Sequence, residues 1–205
     1  MVLASSAIIE KINLRRKSGL ASLAFFYCDF RENEKRDLRG LLSSLLVQLC
    51  HQSDSYCHIL SSFRSEHANG SQHPSDDELM QCLKDILEVP NQAPVYLIVD
   101  GLDECSNASD MPSPREKVLT LFKRLVGFNL PNLRLCVTSR PEIDIKLTLE
   151  PLTFCSVSLH DESEQREDID NYIRSVVNTD PKMERWKATD KELVIDVLIK
   201  KSDGM

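Results

Sequence analysis

Apolar residues along this chain change period repeatedly, and the changes sketch an alternation of helices and strands. Leu3, Ala7, Ile8 and Ile12 recur at helical spacing and predict a helix over 2–14. The run from Leu20 to Phe30, bounded by Gly19 and a charged segment, predicts a buried strand. Leu38, Leu41, Leu42, Leu45, Leu46 and Leu49 fall on one stripe over 37–51, the mark of an amphipathic helix with one face in a core. A weaker helix is expected around Tyr56 to Phe63, followed by a loop over 67–74. Ser75 with Glu78 three residues on makes a capping box, so a helix should start there and bury Leu79, Leu83, Ile86 and Leu87.

Pro90 and Pro94 bracket a break, after which Val95–Val99 is continuously apolar, as a strand covered on both faces must be. Ser113, Pro114 and Glu116 then offer an N-cap, a first-turn proline and a capping acid ahead of Val118, Leu121, Phe122 and Leu125. Leu133–Val137 predicts another strand, closed off by Pro141, and Thr153–Leu159 a fourth. Beyond that the pattern is helical. Ile169, Tyr172, Ile173, Val176 and Val177 share a stripe, and a last helix is expected to start at Thr189 with Glu192 as its capping partner. A subdomain boundary is expected near residue 160. Strands alternating with helices imply an α/β fold with a doubly wound parallel sheet. Such sheets bind ligands at the carboxyl ends of their strands, here just after Val99 and just after Val137.

Composition narrows the partners. The 205 residues carry 25 basic and 32 acidic side chains, a net charge of −7. That balance argues against a nucleic-acid partner, whose phosphates reward lysine and arginine. No stretch approaches the roughly 20 apolar residues of a membrane span. No basic segment followed by an apolar core marks a signal peptide, so a cytoplasmic protein without a membrane partner is expected. None of the seven cysteines is in a C-x-x-C pair, and several sit in apolar runs (Cys28, Cys50, Cys82, Cys136 and Cys155), which reads as buried free thiols in a reducing compartment.

The chemistry concentrates in Val95-Tyr-Leu-Ile-Val-Asp-Gly-Leu-Asp-Glu104. An apolar strand delivers Asp100 to its carboxyl end, Gly101 permits a sharp turn, and Asp103 and Glu104 add two carboxylates to the same loop. Three acids within five residues repel one another, and a hard cation such as Mg²⁺ offsets that cost while bringing phosphates with it. The plainer alternative is a structural turn in which Asp and Gly serve the bend. A second strand, Leu133-Arg-Leu-Cys-Val-Thr-Ser-Arg-Pro-Glu142, delivers Arg140 to its tip, where a guanidinium can bond a phosphoryl group in bidentate fashion or simply lie on the surface before the proline.

Strand and acids together resemble the Walker B motif of NACHT domains, within the STAND class of P-loop NTPases. The second strand is similar to that family's sensor-1 strand. Leu23-Ala-Phe-Phe-Tyr-Cys-Asp-Phe30 and the leucine stripe after it resemble the adjoining strand and helix, in particular those of the nephrocystin-3-like N-terminal group found in fungal NLR-like proteins. The resemblance implies a three-layer αβα core over 1–160 and the start of a helical subdomain over 161–205. It implies Asp100 as the Mg²⁺-side acid and Asp103 or Glu104 as the acid that polarises the attacking water. Arg140 would sense the terminal phosphate of ATP or GTP. It further implies a molecular switch that self-associates under nucleotide control.

The family's phosphate-gripping loop, G-x-x-x-x-G-K-[ST], is not in the sequence. Glycines stand at 19, 40, 70, 101, 127 and 204, and none precedes a lysine. The helix over 2–14 resembles the one that follows that loop, so the first strand and loop of the family fold are expected to be missing. Nucleotide should then not bind tightly to this chain alone, which would depend for stability on an upstream segment or on the rest of a multidomain protein. A non-catalytic interaction module is the alternative function. A phosphatase is disfavoured because Asp100 is followed by Gly-Leu-Asp rather than an Asp-x-Asp pair.

Overall fold

The computed structural model describes residues 2–29, 37–67, 73–107, 112–158 and 163–202. They fall into two units, 1–153 and 154–205. In the first, the order is α1 (Val2–Lys17), β1 (Ser22–Tyr27), α2 (Leu38–Cys50), α3 (Asp54–Glu66), α4 (Asp76–Leu87), β2 (Val95–Asp100), α5 (Pro114–Gly127), β3 (Leu133–Val137) and α6 (Ile143–Leu149). The alternation forms an α/β fold around a parallel sheet ordered β1-β2-β3. Ser22 pairs with Val95 and Val95 with Leu133, so the three strands run in step and finish side by side.

The sheet is covered on both faces near β2. Val95, Leu97 and Val99 join Ala24 and Phe26 in a cluster with the leucines of α2, with Leu83 and Ile86 of α4, and with Val118 and Phe122 of α5. Ile98 points to the opposite face and is buried as well, while α1 lies against β1 and β2. This two-sided burial is why Val95–Val99 is continuously apolar. The caps predicted at Ser75 and Ser113 are present. Ser75 accepts from the Glu78 N–H, and Glu78 answers with its carboxylate on the Ser75 N–H; Ser113 accepts from the Glu116 N–H at 3.2 Å.

The outer edge of β1 is closed by side chains. Gln48 accepts from the Phe25 N–H at 3.0 Å and donates to the Phe25 carbonyl at 2.7 Å. Gln52 does the same for Leu23, at 2.9 and 2.6 Å. Two amides one helical turn apart thus stand in for a neighbouring strand. The far edge of β3 pairs with no strand among the described residues.

Two expectations need correction. Residues 153–158 are not a strand; they form irregular chain in which Phe154 and Val157 are exposed, and Leu159 lies outside the described residues. Apolar content favours a strand only where a ladder partner and a buried face exist, and this segment has neither among the described residues. The last helix begins at Ala188, so Thr189 sits within its first turn rather than capping it. The second unit consists of α7 (Ser163–Thr179) and α8 (Ala188–Ser202), which pack on each other around Val177 and Ile195. Tyr172 and Leu193 stay exposed, because two helices bury one seam only.

Candidate functional site

The tips of β2 and β3 carry the acidic loop and the arginine, and the register brings them together. With Val99 opposite Val137, the next residues, Asp100 and Thr138, meet. The Thr138 hydroxyl donates to Asp100 Oδ1 and accepts from the Gly101 N–H at 3.1 Å. Backbone bonds extend the ladder: Thr138 N to the Val99 carbonyl at 2.9 Å and Leu102 N to the Thr138 carbonyl at 3.0 Å. Asp100 is only 4% exposed. A carboxylate that deep is tolerable only with partners, which is what the strand tip supplies.

Gly101 takes φ +72°, the left-handed region that side chains disfavour. A Cβ there would meet nothing closer than the Cys28 carbonyl at 3.6 Å, so the glycine is required by its backbone angle rather than by crowding. Its turn leads into a short 3-10 turn, Leu102–Glu104, with Leu102 anchored in the core.

Asp103 and Arg140 are joined directly. Asp103 Oδ1 accepts from the Arg140 N–H at 3.0 Å, and its Oδ2 lies 3.4 Å from Arg140 Nε. The carboxylate is nearly buried, whereas the guanidinium side chain is 78% exposed and reaches outward. Glu104 is half-buried, and its carboxylate has no hydrogen-bond or ion-pair partner among the described residues.

Nothing in the sequence spacing of Arg115, in the first turn of α5, sets it apart. It is buried against the back of the acidic loop. Its Nη2 donates to the Asp103 carbonyl at 2.6 Å and its Nε to the Cys105 carbonyl at 3.1 Å; Nη1 bonds Glu142 and lies 3.3 Å from Asp144. A cation in the first turn of a helix opposes the helix dipole. Although burial works against the charge, Glu142 and Asp144 prevail and hold the guanidinium above its ordinary range. Behind the loop, Cys28 and Cys105 place their sulfurs 3.3 Å apart. Their shared hydrogen bond and burial push the Cys28 thiol up, while that bond and the Arg115 charge draw Cys105 down. Thr138 could have been read from register once two adjacent parallel strands were assumed; Arg115 and the thiol pair depend on contacts between distant segments.

These residues offer oxygen ligands but no cage. Asp100 contributes a carboxylate and Thr138 a hydroxyl, and no group of three or more His, Cys, Asp or Glu able to hold a metal occurs among the described residues. That donor set fits a cation that keeps waters and shares phosphate oxygens, as Mg²⁺ does, better than a bare ion. A shallow groove lined by Leu42, Met80 and Leu121 between α2, α4 and α5 includes none of the strand-tip residues.

Fold and site therefore define a parallel α/β protein with an acidic, arginine-flanked loop at neighbouring strand tips. The family model for nephrocystin 3, N-terminal, matches residues 2–140, and the chain belongs to that family. No curated protein and no solved structure matches it. No helix among the described residues is long and apolar enough to cross a membrane.

Proposed function

We propose that residues 1–160 are a partial NACHT domain of the STAND class of P-loop NTPases, the nucleoside-triphosphatase module of a cytoplasmic signalling switch, with 161–205 as the start of its helical subdomain. The observation that carries this reading is the junction of two strand tips: Asp100 bonded to Thr138, and Asp103 bonded to Arg140. In this reading the β2–β3 tips are the Walker B and sensor-1 elements. Asp100 and Thr138 would hold Mg²⁺ through water, and the bound ion would screen the charge of ATP or GTP phosphates. Arg140, outward and only loosely paired through Nε, would reach the terminal phosphate. Asp103 is committed to Arg140, which favours Glu104 over Asp103 as the acid that orients the attacking water.

The phosphate-gripping loop would come from a segment outside this chain, docking beside the edge of β3 that pairs with no strand among the described residues. Self-association under nucleotide control is the accompanying expectation. A second reading, a non-catalytic interaction module, is favoured by one observation: none of the six glycines precedes a lysine.

Calorimetry with Mg-ATP separates the two. The 205-residue chain should show no submicromolar binding, whereas a version extended upstream through a Gly-Lys-Ser/Thr loop should bind. In that version Asp100→Asn should lower Mg²⁺-dependent hydrolysis at least ~100-fold with little change in melting. Failure of the extended chain to bind would leave the interaction module as the better reading, and tight binding by the short chain would sink the requirement for the loop.

A further inference from the structure

We propose that Cys28 and Cys105 are an oxidative modification site, closing to an intramolecular disulfide when the protein meets a peroxide. The two sulfurs are 3.3 Å apart although the residues are separated by 77 positions, so the contact is a product of the fold. Both thiols are buried, Cys28 at 6% and Cys105 at 2% exposure. Packing alone could bury two small thiols, but it does not require them to face each other at this distance.

Both backbones are fixed. The Cys28 N–H donates to the Asp100 carbonyl at 2.9 Å, and the Cys105 N–H to the Leu102 carbonyl at 3.1 Å. Arg115 Nε holds the Cys105 carbonyl at 3.1 Å. A disulfide bond is about 2.05 Å long, so the sulfurs must close by roughly 1.3 Å, within reach of small side-chain rotations.

The chemistry balances with one peroxide. The Cys105 sulfur, as thiolate with Arg115 nearby, attacks a peroxide oxygen. The O–O bond breaks, a sulfenic acid forms, and the departing hydroxide takes up the thiol proton as water. The Cys28 sulfur then attacks the sulfenic sulfur. An S–S bond forms, the S–O bond breaks, and hydroxide leaves with the Cys28 proton as a second water. Two thiols lose two electrons in total and one peroxide gains two. The product would pin the 3-10 turn bearing Asp103 and Glu104 to the tip of β1. The proposal stands whether or not that loop meets a nucleotide.

Tryptic mapping tests it directly. Residues 18–31 and 85–115 are tryptic peptides with a single cysteine each. The reduced full chain is treated with hydrogen peroxide in native buffer or in concentrated urea, alkylated under denaturing conditions, and digested. The expected result is a linked peptide two hydrogens lighter than the sum of its parts. It should be lost on treatment with dithiothreitol and be about tenfold more abundant in native buffer than in urea, because only the fold holds the sulfurs together. Recovery of both peptides alkylated or as sulfinic acids would overturn the proposal, as would equal linkage in urea.

Discussion

Asp100 and Asp103 show how two carboxylates three residues apart acquire different work. Asp100 is held by a threonine hydroxyl at the end of the neighbouring strand, and Asp103 by the backbone and side chain of Arg140. Arg115 braces the loop that carries Asp103 from behind, donating to the carbonyls of Asp103 and Cys105. Replacing Arg115 by leucine would strand those two carbonyls, while Glu142 and Asp144, both partly exposed, could return to water. A loss of about 2–3 kcal/mol in urea unfolding is therefore expected, and Arg115→Lys should recover less than half of it, because one ammonium cannot span carbonyls and carboxylates in fixed fork geometry. Wild-type stability in the leucine variant would show the contacts to be incidental.

Glu78 offers a residue-scale test with pH as the variable. Its carboxylate accepts from the Ser75 hydroxyl and N–H, with His67 adding to the effect, and its pKa falls from 4.5 to about 2. A depressed folded value means that the stabilisation is complete above 4.5 and disappears as pH falls from there toward 2. The acid limb of a stability–pH curve should therefore be shallower for Glu78→Gln than for the parent between those values. Parallel limbs would count against the capping box as its source.

At the scale of elements, the sheet treats its two edges differently. Open strand edges invite pairing with other chains, and proteins protect them. Here Gln48 and Gln52 protect β1, each satisfying one N–H and one carbonyl. Gln48 lies in the last turn of α2 and Gln52 in the turn just past its end, where its side chain also donates to the Gln48 carbonyl, and carbonyls two apart lie on one edge of a strand. Substituting Gln48 by leucine should cost about 1–3 kcal/mol through two unmet backbone groups. The Gln48→Leu, Gln52→Leu double variant should also lose solubility, measured as light scattering on mild heating. A soluble double variant with parental stability would contradict the edge-capping role. The strand expected over Thr153–Leu159 is missing from 153–158, where the chain pairs with no strand among the described residues and Phe154 and Val157 stay exposed. The sheet-facing leucines of α2 and both Ser-Glu helix starts needed only local sequence and were legible from it.

For the molecule as a whole, the division into units 1–153 and 154–205 has a measurable consequence. Phe154 is fully exposed in irregular chain directly at that division. Limited chymotrypsin digestion should cut there first, ahead of the aromatic residues within β1 and α5, leaving a fragment ending at 154. Initial cleavage inside the sheet unit would show that unit to be the looser one. The sequence by itself determined the parallel α/β order, the helix starts at Ser75 and Ser113 and the candidate acids Asp100, Asp103 and Glu104, because periodicity, caps and strand-end acids are written in neighbouring residues. Only tertiary structure decided that Thr138 holds Asp100, that Asp103 binds Arg140, that Arg115 braces the loop and that Cys28 meets Cys105. Three of those pairings join positions 37 to 77 apart in the chain, and all four are set by how the elements pack around the sheet, which no local pattern encodes.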